Sequence, residues 1–289
     1  MKERIQRPPW WPSTDGDGFE PDESIRALPL FCRALGPERG HPVVFLHGIT
    51  GSHRYWIRKA RPLARHYRVI LPDLPGFGRS PKPDTHYTPA LFIEALRGLL
   101  LRMGLADRPL SIVGHSLGSV IAAEYARRYP RGIERLVLMN LPRFQDNRLA
   151  HEIYWLGSPS YRQLLREQSA RENLAQARRT GWILTLRSFL SMPWAVVADC
   201  RMFTLRSLTS TIDHCLIYYR IDPVLPALTR FPLLMIHGVR DQVAPYEHIR
   251  PLPDLYPNIR LVTLPSAGHH VFITDTRKVR RLIRDFIGY

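Results

Sequence analysis

Residues 110–126 read LSIVGHSLGSVIAAEYA. A short apolar run enters Gly114-His115-Ser116-Leu117-Gly118, and a helix-compatible stretch closed by Pro130 follows at once. A plain turn does not need two glycines around a serine. Between a strand and a helix, Gly-x-Ser-x-Gly describes a sharp turn that lifts the serine hydroxyl above the sheet. The glycines are needed because side chains there would strike the neighbouring strand and helix. The helix N-terminus that follows favours negative charge developing beside the serine. A capping serine with turn glycines is the alternative use of the same residues, but the strand-to-helix context favours a nucleophile at Ser116.

The strand–helix rhythm extends outward from this point. PVVFLHG (42–48), YRVILPD (67–73), PLSIVG (109–114) and IERLVLMN (133–140) read as short buried strands. Residues 53–66 are helix-compatible before and around Pro62, and residues 88–104 have helical spacing with a Thr-Pro start and a glycine stop. After Asn140 the rhythm halts for about eighty residues, far longer than an ordinary connection. It resumes with PLLMIHG (232–238), IRLVTLP (259–265) and a final amphipathic helix over 276–288. Alternation of this kind predicts an α/β fold, a mostly parallel twisted sheet with helices on both faces. The divisions expected are an extended N-terminal arm (1–25), a first core part (26–140), a helical cap insertion (141–222) and a second core part (223–289).

The chain has 289 residues, 45% of them hydrophobic and 23% charged, enough for a large core. No apolar run is long enough to span a bilayer, and the Pro- and acid-rich start has no signal-peptide core. Cys32, Cys200 and Cys215 are odd in number and lack metal-ligand spacing, which predicts reduced thiols and a cytoplasmic protein. There are 41 Lys and Arg against 25 Asp and Glu, a formal charge of +16. The arginines are scattered and no nucleic-acid motif accompanies them. The reading is a solvated basic surface with no nucleic-acid partner, leaving transient contact with an anionic membrane as an open role.

A serine hydroxyl needs a base, and the base needs a carboxylate to orient it. With a Gly-x-Ser-x-Gly nucleophile the chain order is Ser, acid, His. Asp241 follows the strand PLLMIHG, and His269 follows the strand IRLVTLP. Both therefore fall at strand C-terminal ends, the edge where open parallel sheets place their sites. His270 is a direct rival to His269. Asn140, at the end of the fourth strand, leaves no acid there to compete with Asp241.

On the motifs FLHGITGS, LPDLPGFGRS, VGHSLGS, IHGVRDQVAP and SAGHH the chain resembles the α/β-hydrolase-fold enzymes, in the serine esterase and lipase-like branch with a helical cap. The resemblance covers about residues 30–140 and 223–289. It implies that Asp241 orients His269, that His269 activates Ser116, and that the backbone N–H groups of Ile49 and Leu117 form the oxyanion hole. His269 is favoured over His270 because it directly follows Ala267-Gly268, as in the family pattern. His47, Gly48 and His115 are expected to line the substrate site. Trp155, Trp182 and Trp194 of the cap are expected to roof an apolar acyl pocket. No cofactor and no metal are implied. The expected activity is hydrolysis of a carboxylic ester or related small apolar acyl substrate through an acyl-enzyme. The alternatives are a carbon–carbon (diketone) hydrolase with the same triad, or a lyase or ligand-binding member of the fold.

Overall fold

The computed structural model describes residues 22–156 and 202–288, with the side chains of residues 155 and 156 left out. Seven strands form one sheet in the order β1-β3-β2-β4-β5-β6-β7: β1 Cys32–Leu35, β2 His41–Leu46, β3 Tyr67–Pro72, β4 Leu110–His115, β5 Ile133–Met139, β6 Leu233–Gly238 and β7 Ile259–Leu264. All neighbours pair in parallel except β1, which lies antiparallel to β3 at one edge. The reading from sequence placed the other six strands and missed β1. That strand is short and half-exposed along its length, so it has no buried apolar run to mark it.

The interior strands are buried on both sides, and successive residues serve opposite faces. Val44, Leu46, Ile112 and Leu138 join one core with helices α3 (Pro89–Arg102) and α4 (Leu117–Arg128). Val43, Phe45, Val113 and Val137 join the other core with α2 (Arg54–Ala60) and the C-terminal helix Thr276–Ile287. On α3, Thr88 caps the N-terminus from its side chain and Pro89 occupies the first turn. Helix α2 stops at Ala60 and tightens into a 3₁₀ turn over Arg61–Arg65, where Pro62 offers no N–H to continue an α-helix. The expected arm, 1–25, ends too late: α1 spans Glu23–Arg26, capped by the Asp22 carboxylate, which accepts from Ser24 N at 2.9 Å. Residues 1–21 of that arm lie outside the described residues.

The insertion leaves the sheet after β5 and returns before β6. Its described helical segments are Asn147–His151, Glu152–Leu156, Leu205–Thr211 and Ile212–Ile217. The later part is anchored on the loop after β3. Tyr87 N donates to Ser210 Oγ at 2.8 Å, and Ser207 Oγ donates to Gly76 O at 3.0 Å. At the insertion's ends Arg143 and Asp222 form an ion pair at 2.7 Å. Among the described residues no helix is long and apolar enough to cross a membrane.

β2 and β4 are neighbours, and the chain departs from them in opposite directions across the sheet. Such a reversal opens a crevice at the strand C-terminal ends. Leu46 pairs with Gly114, so the loop after β2 meets the turn after β4 there. The approach is very close. A Cβ on Gly118 would lie 2.2 Å from Leu46 O. One on Gly114 would lie 2.3 Å from Gly118 O. Gly118→Ala is therefore expected to cost more than about 4 kcal/mol, or to abolish soluble protein, because backbone must move to admit one methyl. Gly104→Ala, where φ is +65° but nothing lies within 4 Å, should cost only about 1–2 kcal/mol. Urea unfolding of the two variants checks the contrast.

Candidate active site

Three described residues other than glycine have positive φ: Thr50 (58°), Ser116 (53°) and Asn140 (49°). They stand just beyond β2, β4 and β5. Backbone strain gathered at the ends of three adjacent strands marks a site that the surrounding structure holds in place. Ser116, at ψ −120°, joins β4 directly to α4 without capping it by its side chain. Its N–H donates to Met139 O at 2.9 Å, tying the turn to β5. The side chain is buried, 2% exposed.

His269 arrives from the loop after β7. Its Nε2 lies 3.0 Å from Ser116 Oγ, and its Nδ1 lies 2.8 Å from Asp241 Oδ2. A carboxylate only accepts, so Nδ1 carries the proton and donates to Asp241. Nε2 is then free to accept from the serine hydroxyl. Asp241, in the loop after β6, is fixed through both oxygens. Oδ1 accepts from Val243 N and Ala244 N at 2.8 and 2.9 Å, and Oδ2 also accepts from Asn140 Nδ2 at 2.7 Å. Burial opposes its charge. The bond and charge of His269, with the Ala244 amide and Asn140, outweigh that and hold the carboxyl down to about 2. In chemical terms this is a hydroxyl beside an imidazole whose far nitrogen is backed by a fixed anion.

His270 does not occupy this line. Its Nδ1 is buried without a hydrogen bond among the described residues. Burial first, and the neighbouring His269 second, push its imidazole down to about 4.

Two residues expected to line the substrate site, His115 and His47, are buried and bonded to backbone. His115 is 1% exposed, and its ring stacks on Tyr55 at 4.9 Å. Its Nε2–H donates to the carbonyl of His269 at 2.7 Å, so it braces the His269 backbone. Burial, reinforced by His269 and His270, depresses its titration far below the usual range and keeps it neutral. His47 is fully buried. Its Nδ1 donates to Gly48 O at 2.8 Å and its Nε2 accepts from Leu74 N at 2.9 Å, which consumes both nitrogens in loop structure. Gly48 does reach the site, since a Cβ there would lie 3.2 Å from Ser116 Cβ. Ile49 is half-buried in the following position, and Leu117 is buried at the first turn of α4. Trp155 falls in the helical segment Glu152–Leu156, with its side chain not described, and Trp182 and Trp194 lie outside the described residues.

One supporting role, that of Asn140, escaped the reading from sequence, whereas His237 and Asp73 act as the loop-shaping residues their strand-end positions suggest. Asn140 holds Asp241 and also donates to Gly268 O at 3.2 Å, in the histidine loop. Its position after a strand was the signal that could have found it. His237 donates from Nε2 to Ala244 O at 2.7 Å, closing the Asp241 loop. Asp73 accepts from His53 N and Arg79 N at 2.6 and 2.8 Å, and so folds the loop after β3.

With this geometry in view, comparison with known proteins becomes specific. Residues 41–276 match the alpha/beta hydrolase fold family. The chain belongs to that family. Among curated alpha/beta hydrolases it is 28% identical over 267 residues to 2-hydroxy-6-oxo-2,4-heptadienoate hydrolase of Pseudomonas putida, covering 86% of this chain and 90% of that one. It is 27% identical over 274 residues to pimeloyl-[acyl-carrier protein] methyl ester esterase of Chromobacterium violaceum, covering 89% and 98%. The crystal structure of a hydrolase from Pseudomonas aeruginosa superposes with a TM-score of 0.72 at 22% identity, covering 90% and 94%. That last likeness concerns the fold.

The neutral histidines make a pH prediction. An unfolded histidine titrates near 6.5, whereas His270 folded titrates at about 4. Between these values the unfolded chain binds more protons, so stability is lost as pH falls through the window. His115 acts in the same direction. His270→Gln should therefore lose about 2 kcal/mol less than the wild type between pH 7 and pH 5. Urea unfolding at the two pH values measures this, and parallel losses would contradict it.

Proposed function

We propose that this alpha/beta hydrolase is a serine hydrolase of carboxylic esters or closely related acyl compounds, working through a Ser116–His269–Asp241 triad. One observation carries the reading: His269 stands within hydrogen-bond distance of Ser116 Oγ through one ring nitrogen and of Asp241 through the other. His269 Nε2 takes the hydroxyl proton as Oγ attacks the carbonyl carbon. Asp241 stabilises the imidazolium without itself being protonated. The oxyanion of the tetrahedral intermediate is assigned to the N–H groups of Ile49 and Leu117, which flank Ser116 from the loop after β2 and the start of α4. Collapse expels the alcohol, which receives its proton from His269. Water, deprotonated by the same nitrogen, then releases the acid from the acyl-enzyme.

Methyl ester cleavage by the Chromobacterium relative supports the ester reading. The insertion 141–222, whose later described part is tied to the loop after β3 by Ser207 and Ser210, is assigned the role of selecting the acyl or alcohol group. A second reading has its own support. The Pseudomonas putida relative is named for a substrate bearing a ketone and a carboxylate but no ester, so its hydrolysis must break a carbon–carbon bond. The same attack on a ketone, with a stabilised carbanion as leaving group, is the alternative chemistry.

A panel of p-nitrophenyl esters of graded chain length, lactones and diketones separates the readings. Ester turnover exceeding diketone turnover supports the first, and the reverse order supports the second. In either case Ser116→Ala and His269→Ala should each lower kcat about 10⁴-fold or more, with Asp241→Asn close behind. A fluorophosphonate probe should label wild type and not Ser116→Ala. Substantial ester hydrolysis by folded Ser116→Ala would overturn the nucleophile. A crippled His270→Ala beside a near-normal His269→Ala would overturn the base.

A further inference from the structure

The face of the molecule covered by α2 and the C-terminal helix carries an unusual concentration of charge. The C-terminal helix buries Val279, Ile283 and Ile287, one stripe at four-residue spacing. That stripe turns Arg277, Arg281 and Arg284 outward. Across from them comes Arg65, at the end of the 3₁₀ turn Arg61–Arg65. Together with Arg280 and His66, these side chains line one hollow of about 300 Å³ floored by Pro62 and Leu63. Arg65 and Pro62 also wall a second hollow, which continues onto Arg58 and Arg61.

Acidic groups do not balance this. Residues 53–68 contain no Asp or Glu, and the C-terminal helix contains only Asp285. Asp285 pairs with Arg284 at 2.7 Å. Among the described residues no carboxylate pairs with Arg65, Arg277, Arg280 or Arg281, and Arg280 donates to the carbonyl of Lys59 at 3.4 Å. Like charges three and four residues apart on a helix repel, and a concave wall of one sign focuses its field on an ion of the other. An anion in the hollow relieves that repulsion. The guanidinium fork matches phosphoryl oxygens two at a time, so arginine in this number suits phosphate better than a single carboxylate.

We propose that this hollow is a binding site for a free oligophosphate, an anion with at least two linked phosphoryl groups, of which the first lies among Arg277, Arg281 and Arg65. The continuation past Arg65 to Arg61 and Arg58 gives the linked phosphoryl groups a charged track. A lipid surface fits less well. The exposed large apolar side chains among the described residues are Leu101, Val239 and Leu255, none of which lines either hollow, so no described side chain of that kind is placed to insert into a bilayer there. A nucleic-acid strand also fits less well. The nearby rings of Tyr55, Trp56 and Phe272 are buried and offer no platform for bases. The site is separate from Ser116, and the proposal stands apart from the catalytic reading.

The test is titration calorimetry of the full chain with sodium tripolyphosphate at about 0.15 M salt, where diffuse attraction between exposed charges is screened beyond roughly 8 Å. One saturable site is expected. The double variant Arg277→Ala/Arg281→Ala should weaken it by about tenfold or more, equivalent to losing one or two charge-assisted contacts. A charge-matched control at exposed arginines elsewhere, Arg131→Ala/Arg250→Ala, should change it less than about threefold. Arg277→Lys/Arg281→Lys keeps the charge but removes the fork, and should also weaken binding severalfold; it carries the test if the alanine pair does not fold. Equal losses in the site and control pairs, or no saturable heat with tripolyphosphate, would overturn the proposal. So would tighter binding of phosphatidylserine vesicles or of a single-stranded oligonucleotide than of tripolyphosphate.

Discussion

The close contact between the first turn of α4 and the end of β2 is the constraint on which the rest of the site depends. It exists because Gly118 has no side chain where Leu46 O would stand 2.2 Å from a Cβ. That contact forces β4 to turn into α4 within one residue, and Ser116 absorbs the turn at φ +53°. Strain of this kind costs roughly 1–3 kcal/mol, and the packing of two buried strands and a buried helix around it sustains that cost. The same contact brings Gly48 and Ile49 beside the serine. Position of the hydroxyl and position of the neighbouring amides thus have one origin.

Around the hydroxyl, order is maintained by hydrogen bonds to backbone as much as by side chains. Asp241 is held by two amides and by Asn140. Asn140 also reaches the Gly268 carbonyl, and His115 reaches that of His269. His269 is therefore located at its ring by Asp241 and at its backbone by His115. Histidines near it are kept neutral by burial, which leaves Asp241 as the negative charge opposite the imidazole. An imidazolium formed during reaction would meet one carboxylate and no competing cation on the adjoining rings.

Much of this was legible in the sequence, for identifiable reasons. Ser116, Asp241 and His269 follow directly from strand ends, and the backbone requirement at the turn is written in Gly114 and Gly118. Six strands show as buried apolar runs. β1 does not, because an antiparallel edge strand with half-exposed residues has no such run. The hydrogen bonds of His47 and His115 were not legible for a different reason. Adjacency to a motif fixes where a residue's backbone is and leaves open which way its ring points. In both cases the ring nitrogens that bond do so with backbone groups. Asn140 was read for the acid it is not, and its amide contact depends on φ +49°, a value that residue type alone does not reveal. The register between His269 and His270 rested on a neighbouring glycine, whereas in the structure it rests on which ring faces Asp241.

The ion pair of Arg143 with Asp222 has a consequence beyond local stability. It clasps the two ends of the insertion together on the core, and Arg143 is also bonded to the carbonyl of His248. A segment whose ends are already joined resembles a loop closed at its base. Its closure entropy changes only slowly with its length, by about 0.6 kcal/mol per doubling. The described residues next to those ends, Ala150, Tyr154, Leu208, Ile212 and Leu216 among them, pack into the core on one face of the sheet. The chain between those packed parts can therefore change in length at little entropic cost, and the strands beneath would keep their geometry.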